Sequence, residues 1–447
     1  MVNNAGINRQ SFSDGDQIVS LIFALFYNLI FLPLFYLSLF LAFPFKSKIR
    51  KGLLGRLGMV RRISEIKKQI NNGPLLVLHC ASMGEFEHTK PFLLEFKKSK
   101  PDFRILVLFF SPSGLENVKP FPAVDFFLYS PHECFLLIWR FFRQLRPTLW
   151  IIAKYDVWPN QLWLSRWFKV PIFLINASMH YQSKRLFWLT KPFYRAVYND
   201  FNQILTVSEM DRKNFCRLVD SDILTVIGDT KFDQVLYRQE ESRKKEIVPS
   251  QFIRDRWIFV AGSTWPEDHV HLIPAIQNLN RKYQQLLSII CPHEPTPSHL
   301  DEIKSHLTNG EFILLSEIQN ISKEKYLIVD RFGVLANLYS LGKLAYIGGS
   351  FKQNIHNVLE AAVYQIPVLF GPVNQILQEA QWLKSNLGGW EVQNSQDIEK
   401  IVIKFIENDI FRQECGRKAF RIVEENRGAT HRTIQNIIDY LEGQPGK

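Results

Sequence analysis

The chain has 447 residues, enough for two ordinary domains and an anchor. Lys and Arg number 54 against 43 Asp and Glu, a formal charge of +11; that balance suits nucleic acid, anionic lipid or phosphorylated small molecules without choosing among them. Five scattered cysteines with no CxxC pair argue against a disulfide framework or a zinc site and fit a reducing compartment.

The first element in chain order is an almost unbroken apolar run, Leu21 to Phe45, interrupted by Asn28, Ser38, Pro33 and Pro44. About 20 apolar residues suffice to cross a bilayer core, so the run qualifies as a span, while Asn28 and Pro33 leave room for an in-plane or re-entrant helix. It is too long for a removable signal peptide and lacks a small-residue cleavage site. Lys46, Lys48, Arg50, Lys51, Arg56, Arg61 and Arg62 follow it, against Arg9, Asp14 and Asp16 in the arm before it. The positive-inside rule places everything after residue 46 in the cytoplasm, and the basic cluster attracts an anionic membrane surface.

Short apolar runs rich in strand formers then recur: 75–80, 105–110, 149–153, 172–176 and 204–208, separated by stretches of helical character. After the polar stretch 238–250 the pattern restarts, with runs at 257–261, 286–291, 312–315, 326–329, 344–347 and 367–370. Alternating strand and helix predict parallel sheets covered on both faces, here two doubly wound units. The expected division is an arm and anchor over 1–46, an N-terminal domain over 47–237 and a C-terminal domain over 238–447. In such sheets ligands sit at the carboxyl ends of strands, so the loops there carry the chemistry.

The first of these loops reads Ala81-Ser82-Met83-Gly84-Glu85. Glycine permits a tight strand-to-helix turn, and Glu85 at the helix start is favoured as a carboxylate by the helix dipole, ready to accept a proton from a substrate hydroxyl. A plain helix-capping acid is the alternative reading. A second loop runs from Gly348-Gly349-Ser350 to Asn357 and Glu360. Paired glycines allow close approach of a ligand, helix-start amides bind phosphate, and Glu360 stands one turn into the helix, where a nucleotide's ribose diol would lie. The pattern is neither GxGxxG nor GxxxxGK[ST], so dinucleotide and P-loop chemistry are not indicated. Ser263 and Thr264 close another strand and offer donors to a phosphate or carboxylate. His293, also at a strand end, is placed to face a nucleotide base or to serve as a packed core histidine.

Taken in order, these pieces resemble the 3-deoxy-D-manno-octulosonic acid (Kdo) transferases of lipopolysaccharide synthesis. The likeness includes Ser82-Met83-Gly84-Glu85, Ser111-Pro112-Ser113-Gly114, Val157-Trp158-Pro159-Asn160, Gly228 to Asp233, Gly262-Ser263-Thr264, Gly348 to Glu360 and Pro367 to Pro372. The resemblance implies an α/β fold of the GT-B type: two Rossmann-like domains facing a central cleft, preceded by an N-terminal membrane-anchor helix. It implies an inverting glycosyltransferase that moves Kdo from CMP-Kdo to the lipid A precursor at the cytoplasmic side of the inner membrane, without a cofactor or metal. By position, Glu85 matches the catalytic base. Gly348, Gly349, Ser350, Asn357 and Glu360 match the CMP-holding segment, and Ser263 and Thr264 match a loop beside the donor phosphate.

The chain departs from the family pattern at Lys154-Tyr155-Asp156, where two acids usually precede Trp-Pro-Asn. It departs again at Pro292-His293-Glu294, which lacks an expected arginine, and at Asn176-Ala177-Ser178, with Lys184 and Arg185 downstream. These mark a divergent branch. The rival readings are a GT-B transferase for another nucleotide sugar and an inactive membrane-bound scaffold. A nucleic-acid partner is not expected, because the basic residues cluster beside the anchor and interleave with no stacking motif.

Overall fold

A computed structural model describes residues 14–318 and 324–443; Arg9 and the other arm residues before Asp14 lie outside them. The chain divides into two compact units, residues 1–234 with 428–447, and residues 235–427. The C-terminal helix, Ala429–Leu441, therefore returns to the first unit, where Asp233 holds its start by accepting the Gly428 and Thr430 amides at 2.6 Å each.

The first unit is one parallel sheet of seven strands: β1 (Leu75–Cys80), β2 (Arg104–Phe109), β3 (Phe126–Tyr129), β4 (Leu149–Ala153), β5 (Ile172–Ala177), β6 (Gln203–Thr206) and β7 (Leu224–Val226). They lie in the order β3-β2-β1-β4-β5-β6-β7, so the order reverses at β1/β4. The second unit repeats the plan with β8 (Trp257–Thr264), β9 (Leu286–Pro292), β10 (Phe312–Leu314), β11 (Tyr326–Ile328), β12 (Leu344–Ile347), β13 (Val368–Phe370) and β14 (Gly389–Glu391). Their order is β10-β11-β9-β8-β12-β13-β14, with the reversal at β8/β12. Helices cover both faces, so the central strands are buried on both sides and read as continuous apolar runs. In β1 all six residues are buried, His79 included. The two reversal points are where a doubly wound sheet opens a crevice, and both sequence-predicted loops, at Glu85 and at Gly348, follow strands there.

Ahead of the first sheet, helix covers Asp14–Ala42 with one wide π turn at Tyr27–Phe31; Ile18–Ala42 is long and apolar enough to cross a membrane. One side packs on the first unit. Phe23 meets Phe193 edge-on at 5.6 Å, Tyr27 meets Trp163 at 5.6 Å, and Tyr36 meets His132 at 5.7 Å. Asn28, an expensive residue in an apolar helix, exchanges two 3.0 Å amide hydrogen bonds with buried Asn160. The opposite side, including Leu21, Leu25, Leu29, Leu34, Leu37 and Leu41, is exposed.

Candidate functional site

Glu85 lies in the first turn of the helix Met83–Ser99, immediately past β1. Its Oε2 turns back past the N-cap Ser82 to accept the Ala81 amide. The side chain therefore closes the turn that starts the helix. Glu85 is 6% exposed, and it lines a pocket with His88, Lys154, Asn176 and Thr230. Burial pushes its pKa above the ordinary glutamate value, opposed by the Ala81 amide and raised further by Asp156. Lys154 is among the groups that favour its charged form.

Three neighbours give this pocket its shape. Lys154 follows β4 with a left-handed backbone, φ +64°, its amide tied to Ile175 O at 2.9 Å. Asn176, also left-handed at φ +56°, locks onto Thr230 through two hydrogen bonds of 2.7 and 3.1 Å. Beneath them, fully buried His79 bonds Asp156 through Nε2 at 2.8 Å. Burial would raise Asp156, yet the bond and charge of His79, with Trp158 and Arg185, together outweigh it and hold the carboxyl below its usual value. Sequence reading passed over His79 because a histidine inside an apolar strand gives no periodic signal. At the divergent Ser178, the hydroxyl bonds Asp211 at 2.9 Å.

In the second unit the predicted residues gather at the carboxyl ends of β8, β9 and β12. Gly348 leaves β12 against β8 so closely that a Cβ there would stand 2.3 Å from Ser263 O, which makes glycine obligatory. Ser263 itself is left-handed at φ +53°. Gly349 has φ +79°, and its amide donates to Asp268 at 2.8 Å. Asp268, fully buried, also accepts the Trp265 amide at 2.8 Å and the Tyr346 hydroxyl at 2.7 Å. It is the organising residue that the sequence reading missed. An acid in the first turn of a helix looks like any cap until its partners across the sheet are known.

The hydroxyls of Ser350 and Thr264 are engaged inside the fold. Ser350 Oγ accepts the Gly371 amide at 2.7 Å, and Thr264 Oγ1 pairs with His269 Nε2 at 2.8 Å. His293 is exposed and stacks over two adjoining rings, His356 at 4.2 Å and Trp265 at 4.9 Å. Trp265 Nε1 donates to His356 Nε2 at 3.0 Å, and burial, then His293, lowers His356 to about 4, so it is neutral near pH 7. Asn357 Oδ1 accepts the Leu359 amide at 3.1 Å, and Glu360 pairs with Arg238 at 2.6 Å. Among the described residues no group of three or more His, Cys, Asp or Glu is gathered to hold a metal ion.

Residues 51–234 match the family described as 3-deoxy-D-manno-octulosonic-acid transferase (kdotransferase). The chain is 27% identical over 375 residues to the 3-deoxy-D-manno-octulosonic acid transferase of Rickettsia felis, covering 82% of this chain and 79% of that protein. It is 26% identical over 383 residues to the one of Haemophilus influenzae, covering 82% and 87%. Among solved structures, the UDP-GlcNAc 2-epimerase of Neisseria meningitidis superposes with a TM-score of 0.54 at 16% identity, over 79% of this chain and 99% of that one. A glycosyltransferase from Rickettsia africae gives 0.53 at 11%, over 83% and 99%. At such identities the structures speak to fold alone, a pair of Rossmann-like sheets of the GT-B class. The sequence matches speak to kind, and by them the chain is similar to the Kdo transferases.

Proposed function

We propose that the protein transfers Kdo from CMP-Kdo to the lipid A precursor with inversion at the anomeric carbon, and that Glu85 is the base. The observation that carries this reading is the Glu85 pocket: a buried carboxylate at a strand-to-helix turn, held by one backbone amide and raised in proton affinity by burial. In the proposed step Glu85 takes the proton of an acceptor hydroxyl as that oxygen attacks the anomeric carbon. The bond from that carbon to the phosphate oxygen breaks, and CMP departs with the electron pair. Lys154 faces the same pocket, where a cation suits the phosphorylated or carboxylated acceptor.

For the donor, the supporting features are the obligatory Gly348 approach, the exposed His293 ring and the carboxylate of Glu360. Because the Gly349 amide and the Ser350 and Thr264 hydroxyls are engaged within the fold, their role in this reading is to set the loop's shape. Ser263, Gly348 and Asn357 then frame the phosphate, and Glu360 meets the ribose diol. Replacing Glu360 by Ala should weaken CMP-Kdo binding about tenfold or more; unchanged affinity would remove it from that place.

For the membrane, the reading is an anchor helix lying in the plane of the cytoplasmic leaflet of the inner membrane. Aromatic contacts spread from Phe23 to Tyr36 run along the soluble unit, while the other face is apolar and exposed. Exposed Phe187, Trp188 and Leu189, two residues before the helix that carries Phe193, extend that apolar face, with Lys184, Arg185 and Lys191 around them.

The test is incubation of purified protein with a CMP-Kdo generating system and the tetraacyl lipid A precursor, read by mass spectrometry. The expected result is a mass increase of one or more Kdo units. No product from folded protein that binds CMP would favour a different sugar or acceptor.

A further inference from the structure

Where the anchor helix meets the first unit there is a cavity of about 240 Å³. Its walls are apolar: Phe35 and Leu39 from the anchor, Ile49 and Leu53 from the helix Ser47–Leu54, and Phe110 and Trp158 from loops after β2 and β4. Phe110 and Trp158 stack at 4.9 Å and form one rigid wall. Two of the titratable groups in the lining are held neutral near pH 7: burial keeps His132 down at about 4 and pushes Glu133 up to about 8. Arg56 spends its guanidinium on the carbonyls of Gly52, Phe110 and Ser130, at 2.6 to 2.8 Å, and so pins the second helix to the sheet. Exposed Lys48 is the lining cation left facing solvent.

One wall of the cavity is tied to the Glu85 loop. Phe110 and Ser111 donate their amides to the carbonyls of Cys80 and Ala81, at 3.1 and 2.9 Å, and the Ala81 amide is the one that Glu85 holds. Its volume falls below the roughly 300–1,000 Å³ of pockets that take a whole drug-sized ligand. A slender apolar chain fits it, and Phe35, Tyr36 and Leu39 of its wall belong to a helix whose outer face is exposed and apolar.

We infer that this cavity takes an acyl chain of the glycolipid acceptor, entering from the bilayer beside the anchor helix while the sugar reaches Glu85 and Lys48 meets an anionic group at the mouth. The inference rests on the proposed lipid acceptor, and it adds a selectivity element: the protein measures the acyl chain as well as the sugar.

The experiment uses the full-length protein and the tetraacyl precursor carrying a diazirine in its acyl chains. After irradiation, peptide mapping should place the label on residues 35–56, 110–112 or 158. The double variant Leu39→Phe/Ile49→Phe, which fills the cavity with volume it tolerates, should cut that labelling at least fivefold. It should also lower the ratio of kcat/KM for acylated over deacylated acceptor about tenfold. Label confined to the outward positions Leu29, Leu37 and Leu41 would overturn the inference. So would a phospholipid carrying the same diazirine that labels the cavity and is not displaced by unlabelled acceptor, since the occupant would then be bulk lipid. Kdo transfer without cavity labelling would leave the proposed function standing and remove this site. Cavity labelling without transfer would do the reverse.

Discussion

A carboxylate that must take a proton near neutral pH works best when its own proton affinity has been drawn up toward that pH. Glu85 meets that condition through burial, and Lys154 acts against the rise. The acid limb of the kcat profile should therefore lie above the ordinary glutamate value of about 4.3, with activity lost as pH falls through it. Lys154→Met should move that limb upward, because the carboxylate loses a favourable charge; a limb at the ordinary value, or one unmoved by the substitution, would speak against Glu85 as the titrating base. Glu133 allows a separate test on stability. Its folded pKa, about 8, lies above the unfolded one, so the folded state keeps a proton that the unfolded state loses. Stability from this group is fully present below about pH 4.5 and declines as pH rises through about 8. Glu133→Gln still offers an oxygen to the Asn160 amide, so it should flatten that decline in a chemical-denaturation series, and an unchanged slope would contradict the assignment.

At the scale of elements, two devices carry predictions. Gly348 is required by contact: a Cβ would press on Ser263 O and Thr264 Cα at 2.3 and 2.5 Å. Gly348→Ala should cost about 1–3 kcal/mol by overpacking and weaken CMP binding, measurable by thermal unfolding with and without CMP. Wild-type stability and affinity would mean that the loop has more room than the contacts show. The anchor helix carries the second. If it lies in the plane of the leaflet, a tag placed before residue 14 and one at the C-terminus should be open to reagents on the same side of sealed inner-membrane vesicles. A tag protected on the far side would establish a span. Sequence alone left both open, because length and hydropathy are the same for a spanning and an in-plane helix. The in-plane proposal rests on the aromatic stripe at Phe23, Tyr27 and Tyr36, whose partners Phe193, Trp163 and His132 are more than a hundred, or nearly a hundred, residues away in the chain.

At the scale of the whole molecule, the parallel sheets were readable because strands buried on both faces leave continuous apolar runs, as in β1, β4 and β12. The strands that escaped, β3, β7 and β14, lie at sheet edges, and β7 and β14 are three residues each, too short to stand out from loops. The return of the last helix to the first unit was likewise hidden, since its buried stripe of Thr433, Ile434 and Ile437 says that it packs and not where. In the candidate site, the motif residues beside glycines were legible. Asp268 and His79 were not, because what distinguishes them is a partner on another strand.

The most direct test of the account is the rate of Kdo transfer by Glu85→Gln, measured against wild type with CMP-Kdo and the tetraacyl precursor, both proteins being first shown to bind CMP equally. Loss of the base predicts a fall in kcat of roughly 10²–10⁴ with donor affinity kept. Turnover within a few-fold of wild type would show that Glu85 is a helix cap alone and that the proton is taken elsewhere.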